Sequence, residues 1–310
     1  MQPNIFLCVL LQFSFSSCIQ DFKMSEIKSS FDVVGMDSAY EADIWGRVDF
    51  EPVPAYFIDT HDPVSQDRYI SASVHEAKTP WDSYIWDRIV SLTPSDASGL
   101  VFVDVGANIG YFSLAAASMG YNVVAFEPMS RNAKKLAKSI KMNEFGSRVT
   151  LYQNAVTDVS GQHVVLKETD ATNQGNGQIV STTSGGVNGV NGVNGVNGVY
   201  GVDYATSVTL SDALSGINAF IVKIDVEGHE GAVLQGARDW VCGNVVQHLI
   251  VEVSDATKKN SELLELLQFM ISAGYVMADV AVGSSGLESV DIWSLPPNII
   301  FTLMSDGTTC

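Results

Sequence analysis

The chain has 310 residues, 46% hydrophobic and 17% charged, which is enough for one large α/β domain with a buried core plus an extension. Acidic residues outnumber basic ones by 35 to 17, and the net charge of −18 argues against a nucleic-acid substrate and against an anionic membrane face, both of which need clustered Lys and Arg. The four cysteines, Cys8, Cys18, Cys242 and Cys310, form no CxxC pair and no Cys/His cluster at zinc spacing, so neither a metal site nor a disulfide framework is expected.

The N-terminus supports two readings. Ile5 to Phe15 is mostly apolar and is followed by the small residues Ser16, Ser17 and Cys18, the pattern of a signal peptide or anchor within residues 1–23. No Lys or Arg precedes Lys23, and Met24 is an alternative start. The first reading sends the chain to the secretory pathway and the second leaves it in the cytoplasm. Residues 24–97 form an N-terminal extension. Pro52, Pro54 and Pro63 oppose helix there, and Ala55 to Ile58 is a candidate strand. Trp81, Tyr84, Ile85, Arg88, Ile89 and Leu92 recur at helical spacing and predict a helix packed by its aromatic face, closed by Pro94.

From Leu100 the pattern alternates. Strands are predicted at Val101–Val105, Asn122–Phe126, Val149–Gln153, Phe220–Ile224, Leu249–Val253 and Asn298–Leu303. Helices fall at Ile109–Met119, Ser130 to about Asn143, and Ser261–Ser272. Apolar strands alternating with helices imply a mainly parallel, doubly wound α/β sheet, helices on both faces and the ligand at the carboxyl ends of the strands. The domain is placed at 98–310. A low-complexity insertion at 170–205 interrupts it, containing VNGVNGVNGVNG at 187–198. Three-residue periodicity suits neither helix nor strand burial, so a loose surface loop outside the core is expected.

Four segments carry chemistry. In VFVDVGANIGYFSL, 101–114, a buried strand ends at Asp104-Val105 and turns through Gly106, Asn108 and Gly110 into a helix. The glycines allow close backbone approach, and the helix start suits a carboxylate or phosphate. Asp104 is placed to meet an ammonium group, directly or through water. A dinucleotide-binding turn wants glycines where Asn108 and Tyr111 stand, which disfavours a nicotinamide-dependent oxidoreductase. In VVAFEP, 123–128, Glu127 can accept both hydroxyls of a ribose; the alternative is an acid favoured by a helix start. The turn Asn154–Asp158 would flank an adenine, with backbone near Val156 or the Asp158 side chain reading the base edge. In FIVKIDVEGHEGAVLQGA, 220–237, Lys223, Asp225, Glu227, His229 and Glu230 crowd the strand end. Such crowding is costly unless the groups are paired or functional. An ion-pair network capping the next helix is the alternative. Glu252 is a further candidate for the pocket.

Together, FVDVGANIGYFSLAA, VVAFEP, NAV and KIDVEGHE…VLQGA resemble the FkbM-type S-adenosylmethionine-dependent methyltransferases over roughly 98–255. The resemblance implies a Rossmann-like class I methyltransferase sheet of seven mostly parallel strands, the last antiparallel. It implies an S-adenosylmethionine site at Asp104, Gly106, Asn108, Gly110 and Glu127, and the family signature at Asp225 to Glu230. The implied activity is methyl transfer to a hydroxyl of a saccharide or small metabolite; the net charge, not the resemblance, speaks against a nucleic-acid or firm membrane partner, and no metal is assigned although Asp, Glu and His together could hold one. His229 is the first candidate base, with Asp225 and Glu227 as alternatives. The remaining rival is a non-catalytic nucleoside- or carbohydrate-binding module on the same fold.

Overall fold

A computed structural model describes residues 43–76, 80–168, 170, 172–175, 177–183, 202–254, 258, 263–280 and 295–304. The candidate leader, Met24, the valine–asparagine–glycine repeat and the first residues of the helix expected from Ser261 lie outside the described residues. Strands β1 (Ile44–Phe50) and β2 (Val53–Thr60) pair antiparallel, and two helices come after them, α1 (Ile70–Glu76) and α2 (Ser83–Leu92). The alternating core then begins: β3 (Val101–Val105), α3 (Tyr111–Ser118), β4 (Asn122–Phe126), α4 (Ser130–Met142) and β5 (Val149–Tyr152). Four short strands come next, β6 (Asn154–Val156), β7 (His163–Glu168), β8 (Gly177–Thr183) and β9 (Val202–Val208). The chain closes with α5 (Leu210–Ala213), β10 (Ala219–Ile224), α6 (Glu230–Gly236), α7 (Arg238–Gly243), β11 (Val246–Glu252), α8 (Leu263–Ser272), β12 (Tyr275–Asp279) and β13 (Asn298–Leu303).

The main sheet has seven strands in the order β12-β13-β11-β10-β3-β4-β5. The pairs β11–β10, β10–β3, β3–β4 and β4–β5 are parallel, and β13 runs antiparallel to both of its neighbours. Strand alternation sends side chains to two cores. Val101, Val103 and Val105 enter the one under α6, α7 and α8, while Phe102 enters the one under α2, α3 and α4. Burial of both faces explains why these strands read as unbroken apolar runs. Asp104 alternates onto the α3 face, and register places it beside Lys223 on β10.

Several expectations change. The N-terminal extension is part of the core: Tyr56 and Ile58 of β2 are buried against α3 and α4, and the Tyr56 hydroxyl donates to the Tyr111 carbonyl at 2.8 Å. Side chains of α4 cover the free edge of β2. Asn143 pairs with the Phe57 backbone, and Ser139 accepts from Asp59 N at 2.8 Å, which satisfies groups that a bare edge would expose. β1 and β12 have no counterpart among the predicted strands, because each is a short run that periodicity alone does not distinguish from loop. In α2, Trp86 is buried although it lies off the expected stripe. Arg88 is half-buried and donates to the Val280 carbonyl at 3.1 Å.

The interval 170–205 is not loose throughout. β8 and β9 flank β7 in a second, four-stranded sheet of order β6-β9-β7-β8. Its Val164 and Leu166 join Met129 and Ala155 in a small third core. The disulfide expectation is also corrected, since Cys242 on α7 is disulfide-bonded. Spacing could not reveal this, because pairing depends on which distant segments the fold brings within reach. Among the described residues, no helix is long and apolar enough to cross a membrane.

Candidate active site

One cleft opens at the carboxyl ends of β3, β4, β10 and β11. At its centre is the turn after β3. Gly106 has φ +82°, and a Cβ there would stand 1.9 Å from the Asp225 carbonyl oxygen, so only glycine lets the β3 and β10 turns lie against each other. Gly110 has φ +93°, and a Cβ would strike Leu136 of α4. Asn108 adopts φ 53°, a conformation asparagine tolerates better than most residues. Its side-chain oxygen accepts from Ile109 N at 2.8 Å.

Glu127 is nearly fully buried and lines the cleft. One carboxylate oxygen accepts from Asn108 N at 2.8 Å and the other from Met129 N at 2.9 Å. Burial pushes its pKa up to about 7 against those bonds. A carboxylate has about four acceptor sites, so these two bonds and one from Asn132 leave about one for a ligand's hydroxyl. Asn132 of α4, which sequence reasoning missed, holds this acid from behind. Its amide oxygen accepts from His61 Nε2 at 2.7 Å, its nitrogen donates to the Gln174 carbonyl at 3.0 Å, and it hydrogen-bonds Glu127. One buried amide thus joins the extension, the insertion and the proposed ribose acid. Only the three-dimensional neighbourhood reveals this; in sequence Asn132 is an ordinary helix residue.

Asp104 sits behind the glycine turn, not in the cleft wall. Its Oδ2 accepts from Ser113 Oγ at 2.6 Å, while Oδ1 is buried without a hydrogen-bond partner. Burial raises its pKa despite the nearby Lys223 ammonium. Val156 is buried and lines the cleft. Asp158 does not: it is exposed and accepts from the Thr157 hydroxyl at 2.7 Å, because the chain has left the cleft by the residue after Thr157.

The end of β10 supplies the charged group. Lys223 is buried, donates to Asp225 at 2.9 Å, and lies 4.7 Å from the Phe112 ring centroid. Burial opposes its charge, but Asp225 and Asp104 overcome that and raise its pKa. Asp225 is held below the ordinary carboxylate range, because Lys223 outweighs burial and Glu252 hydrogen-bonds to it. Glu252 is pushed up to about 9 by burial and by Asp225. It is therefore the protonated partner of that hydrogen bond at neutral pH. Glu227 lines the cleft with φ 55°, and burial together with Asp225 and Glu230 raises it to about 7. His229 also lines the cleft and occupies the N-cap position of α6 without a side-chain capping bond. Glu230 turns away: it is fully buried, and its Oε1 accepts from Val226 N at 3.0 Å and Gly228 N at 3.1 Å. It holds the turn that presents Glu227. The ion-pair alternative thus accounts for Lys223 and Asp225, whereas Glu227, His229 and Glu252 face open space.

The FkbM methyltransferase domain model matches residues 104–277. The chain belongs to the FkbM methyltransferase family. Its sheet order and the antiparallel β13 are those of the class I methyltransferase fold. A comparison with curated proteins gives no match. Among solved structures, the chain is similar to a putative rRNA methylase from Clostridium thermocellum at 12% identity and TM-score 0.40, covering 73% of this chain and 95% of that one. It is similar to precorrin-6y C5,15-methyltransferase from Geobacter metallireducens GS-15 at 14% and 0.37, covering 73% and 90%. A SAM-dependent O-methyltransferase from Thermotoga maritima gives 10% and 0.35, covering 86% and 95%. The FkbM match begins at Asp104, and so takes in the glycine turn, Glu127 and the whole acidic end of β10, while the aromatic residues Tyr69 and Trp81 of the same cleft lie before it.

Proposed function

We propose that this FkbM-family methyltransferase uses S-adenosylmethionine to methylate a hydroxyl of a saccharide or small metabolite. The observation that carries the reading is the single cleft shared by the glycine turn, Glu127 and the acidic end of β10. The residues present fit the donor. Glu127 keeps an acceptor site for a ribose hydroxyl and Val156 gives an apolar wall for the base, while Asp104 is buried behind the glycine turn and does not line the cleft. S-adenosylmethionine, when bound, supplies an electrophilic methyl group.

The chain's own part is to align an acceptor hydroxyl and take up its proton. Proximity and orientation supply much of the rate in such reactions. Glu227 is the favoured proton acceptor, since a base works best with a pKa near the working pH and this carboxylate is held at about 7 within the cleft. His229 stands next. Asp225 is third, because its lowered pKa and its bond to Lys223 make it a weak base. The acid-rich composition supports a small acceptor over a nucleic acid.

Calorimetric titration with S-adenosylmethionine, followed by measurement of S-adenosylhomocysteine released with hydroxyl acceptors, tests the proposal. Binding and release are expected. Binding of NAD in place of S-adenosylmethionine would overturn it in favour of the oxidoreductase, and donor binding without release would favour the non-catalytic module.

A further inference from the structure

The cleft contains a group that donor binding leaves unused. Tyr69 and Trp81 both line it and meet edge to face, with ring centroids 5.8 Å apart and planes at 87°. Tyr69 keeps 41% of its surface exposed, more than a ring serving only the core would keep. Asp82 comes next in the chain, at the N-cap position of α2, in left-handed backbone (φ 48°, ψ 49°), and makes no side-chain capping bond. Aspartate is among the strongest N-cap residues, so an aspartate there that does not cap has its carboxylate directed elsewhere. That carboxylate lines the cleft and takes a hydrogen bond from the Trp81 side chain, close enough to Lys223 and Asp225 to feel both. The indole is thereby held by an acid that still has acceptor sites to spare.

We propose that Tyr69, Trp81 and Asp82 form the acceptor subsite, which takes an uncharged polyhydroxylated ring and rejects its phosphorylated or carboxylated counterparts. This rests on the methyltransferase reading above and narrows its acceptor. The C–H face of such a ring packs on aromatic surface, which is large, rigid and amphipathic. Its hydroxyls donate to a fixed carboxylate, and hydrogen bonds to ionised acceptors are the stronger kind. Discrimination against anions arises from the charges around the subsite. Asp82 and Asp225 line the same cleft, Glu227 beside them gains its charge as pH rises through about 7, and the ammonium facing them, on Lys223, is already paired with Asp225. Among the described residues lining the cleft, a phosphorylated ring would meet like charges and no Lys or Arg other than the paired Lys223, a repulsive element of the kind that sets specificity.

The test uses the full chain and saturation-transfer NMR, with and without S-adenosylhomocysteine. The probes are the methyl pyranosides of glucose, galactose and mannose, and glucose 6-phosphate. Saturation of at least one neutral glycoside and none of the phosphate is expected. Tyr69→Ala and Trp81→Ala should each weaken that glycoside tenfold or more, with Trp81→Phe recovering part of the loss. S-adenosylmethionine affinity by calorimetry should stay near wild type, while Trp81→Ala should lower the melting temperature somewhat because the indole also packs against the core. Asp82→Lys should weaken the glycoside and admit glucose 6-phosphate. The proposal is overturned if wild type binds the phosphate as well as the glycosides, if no neutral glycoside binds, or if Trp81→Ala binds them unchanged. Failure of S-adenosylmethionine to bind would sink the donor reading alone, because the glycoside arm run without S-adenosylhomocysteine still reports on the subsite.

Discussion

In the proposed reaction the two raised glutamates at the centre of the cleft do different work. Glu127 already accepts two backbone N–H groups, from Asn108 and Met129, so it is pre-oriented before any ligand arrives. Hydrogen bonds to a charged group are worth about 1.5–3 kcal/mol. Glu127→Ala should therefore weaken S-adenosylmethionine binding by roughly ten- to a hundred-fold, and calorimetry giving wild-type affinity would remove it from the donor site. Glu227 is held in a left-handed turn by Glu230, and its pKa of about 7 predicts a definite pH profile. The base works deprotonated, so turnover should rise as pH passes through about 7. Glu227→Gln should lower turnover by about 10²–10⁴-fold and abolish that rise. A profile unchanged in the mutant would transfer the role to His229.

At the scale of elements, the site is assembled by segments far apart in sequence, and Asn132 is where three of them meet. Asn132→Leu would leave the His61 N–H and the Gln174 carbonyl without this partner and Glu127 without its support. Each buried group left unsatisfied costs about 1–3 kcal/mol, so a lower melting temperature and weaker donor binding should appear together. Weakened stability with intact donor affinity would show that Asn132 braces the fold without orienting Glu127. The valine–asparagine–glycine repeat invites the opposite experiment. It connects β8 to β9, each already paired with β7, and loop closure changes by only about 0.6 kcal/mol per doubling of length. Deleting Val187–Gly198 should leave melting temperature and S-adenosylmethionine affinity near wild type. A large fall in melting temperature would mean that the repeat contributes packing of its own.

Over the whole molecule, the raised carboxyls give stability a pH dependence. Glu252 has a folded pKa of about 9 against an ordinary value of 4.5, so above about pH 4.5 the folded chain keeps a proton that the unfolded chain has released. Its favourable contribution is complete below that pH and is lost as pH rises through about 9. Glu127 and Glu227 act in the same direction up to about 7. The ligand-free melting temperature should therefore decline from mildly acidic to alkaline pH. Glu252→Gln, which stays neutral, should flatten the upper part of the decline. A melting temperature that climbed over this range would contradict the assignment of these protons.

The central sheet, and the glycine turn and Glu127 that meet at one cleft, are written in local sequence. Strands buried on both faces must be unbroken apolar runs, and a turn packed against a neighbouring backbone must carry glycine, so Val101–Val105, Gly106 and Gly110 were legible as written. Three features depended instead on segments that the fold brings together from a distance: the burial of the N-terminal hairpin against α3 and α4, the pairing of β8 and β9 around β7, and the disulfide at Cys242. The same reason separates the acids. Asp104, Asp158, Glu230 and Glu227 all lie at or just after strand ends and look alike in sequence. Packing turned Asp104 behind the turn, Asp158 to solvent and Glu230 into the backbone, and left Glu227 facing the cleft, because a carboxylate's role is set by its desolvation and its partners, and those are fixed only when distant segments pack.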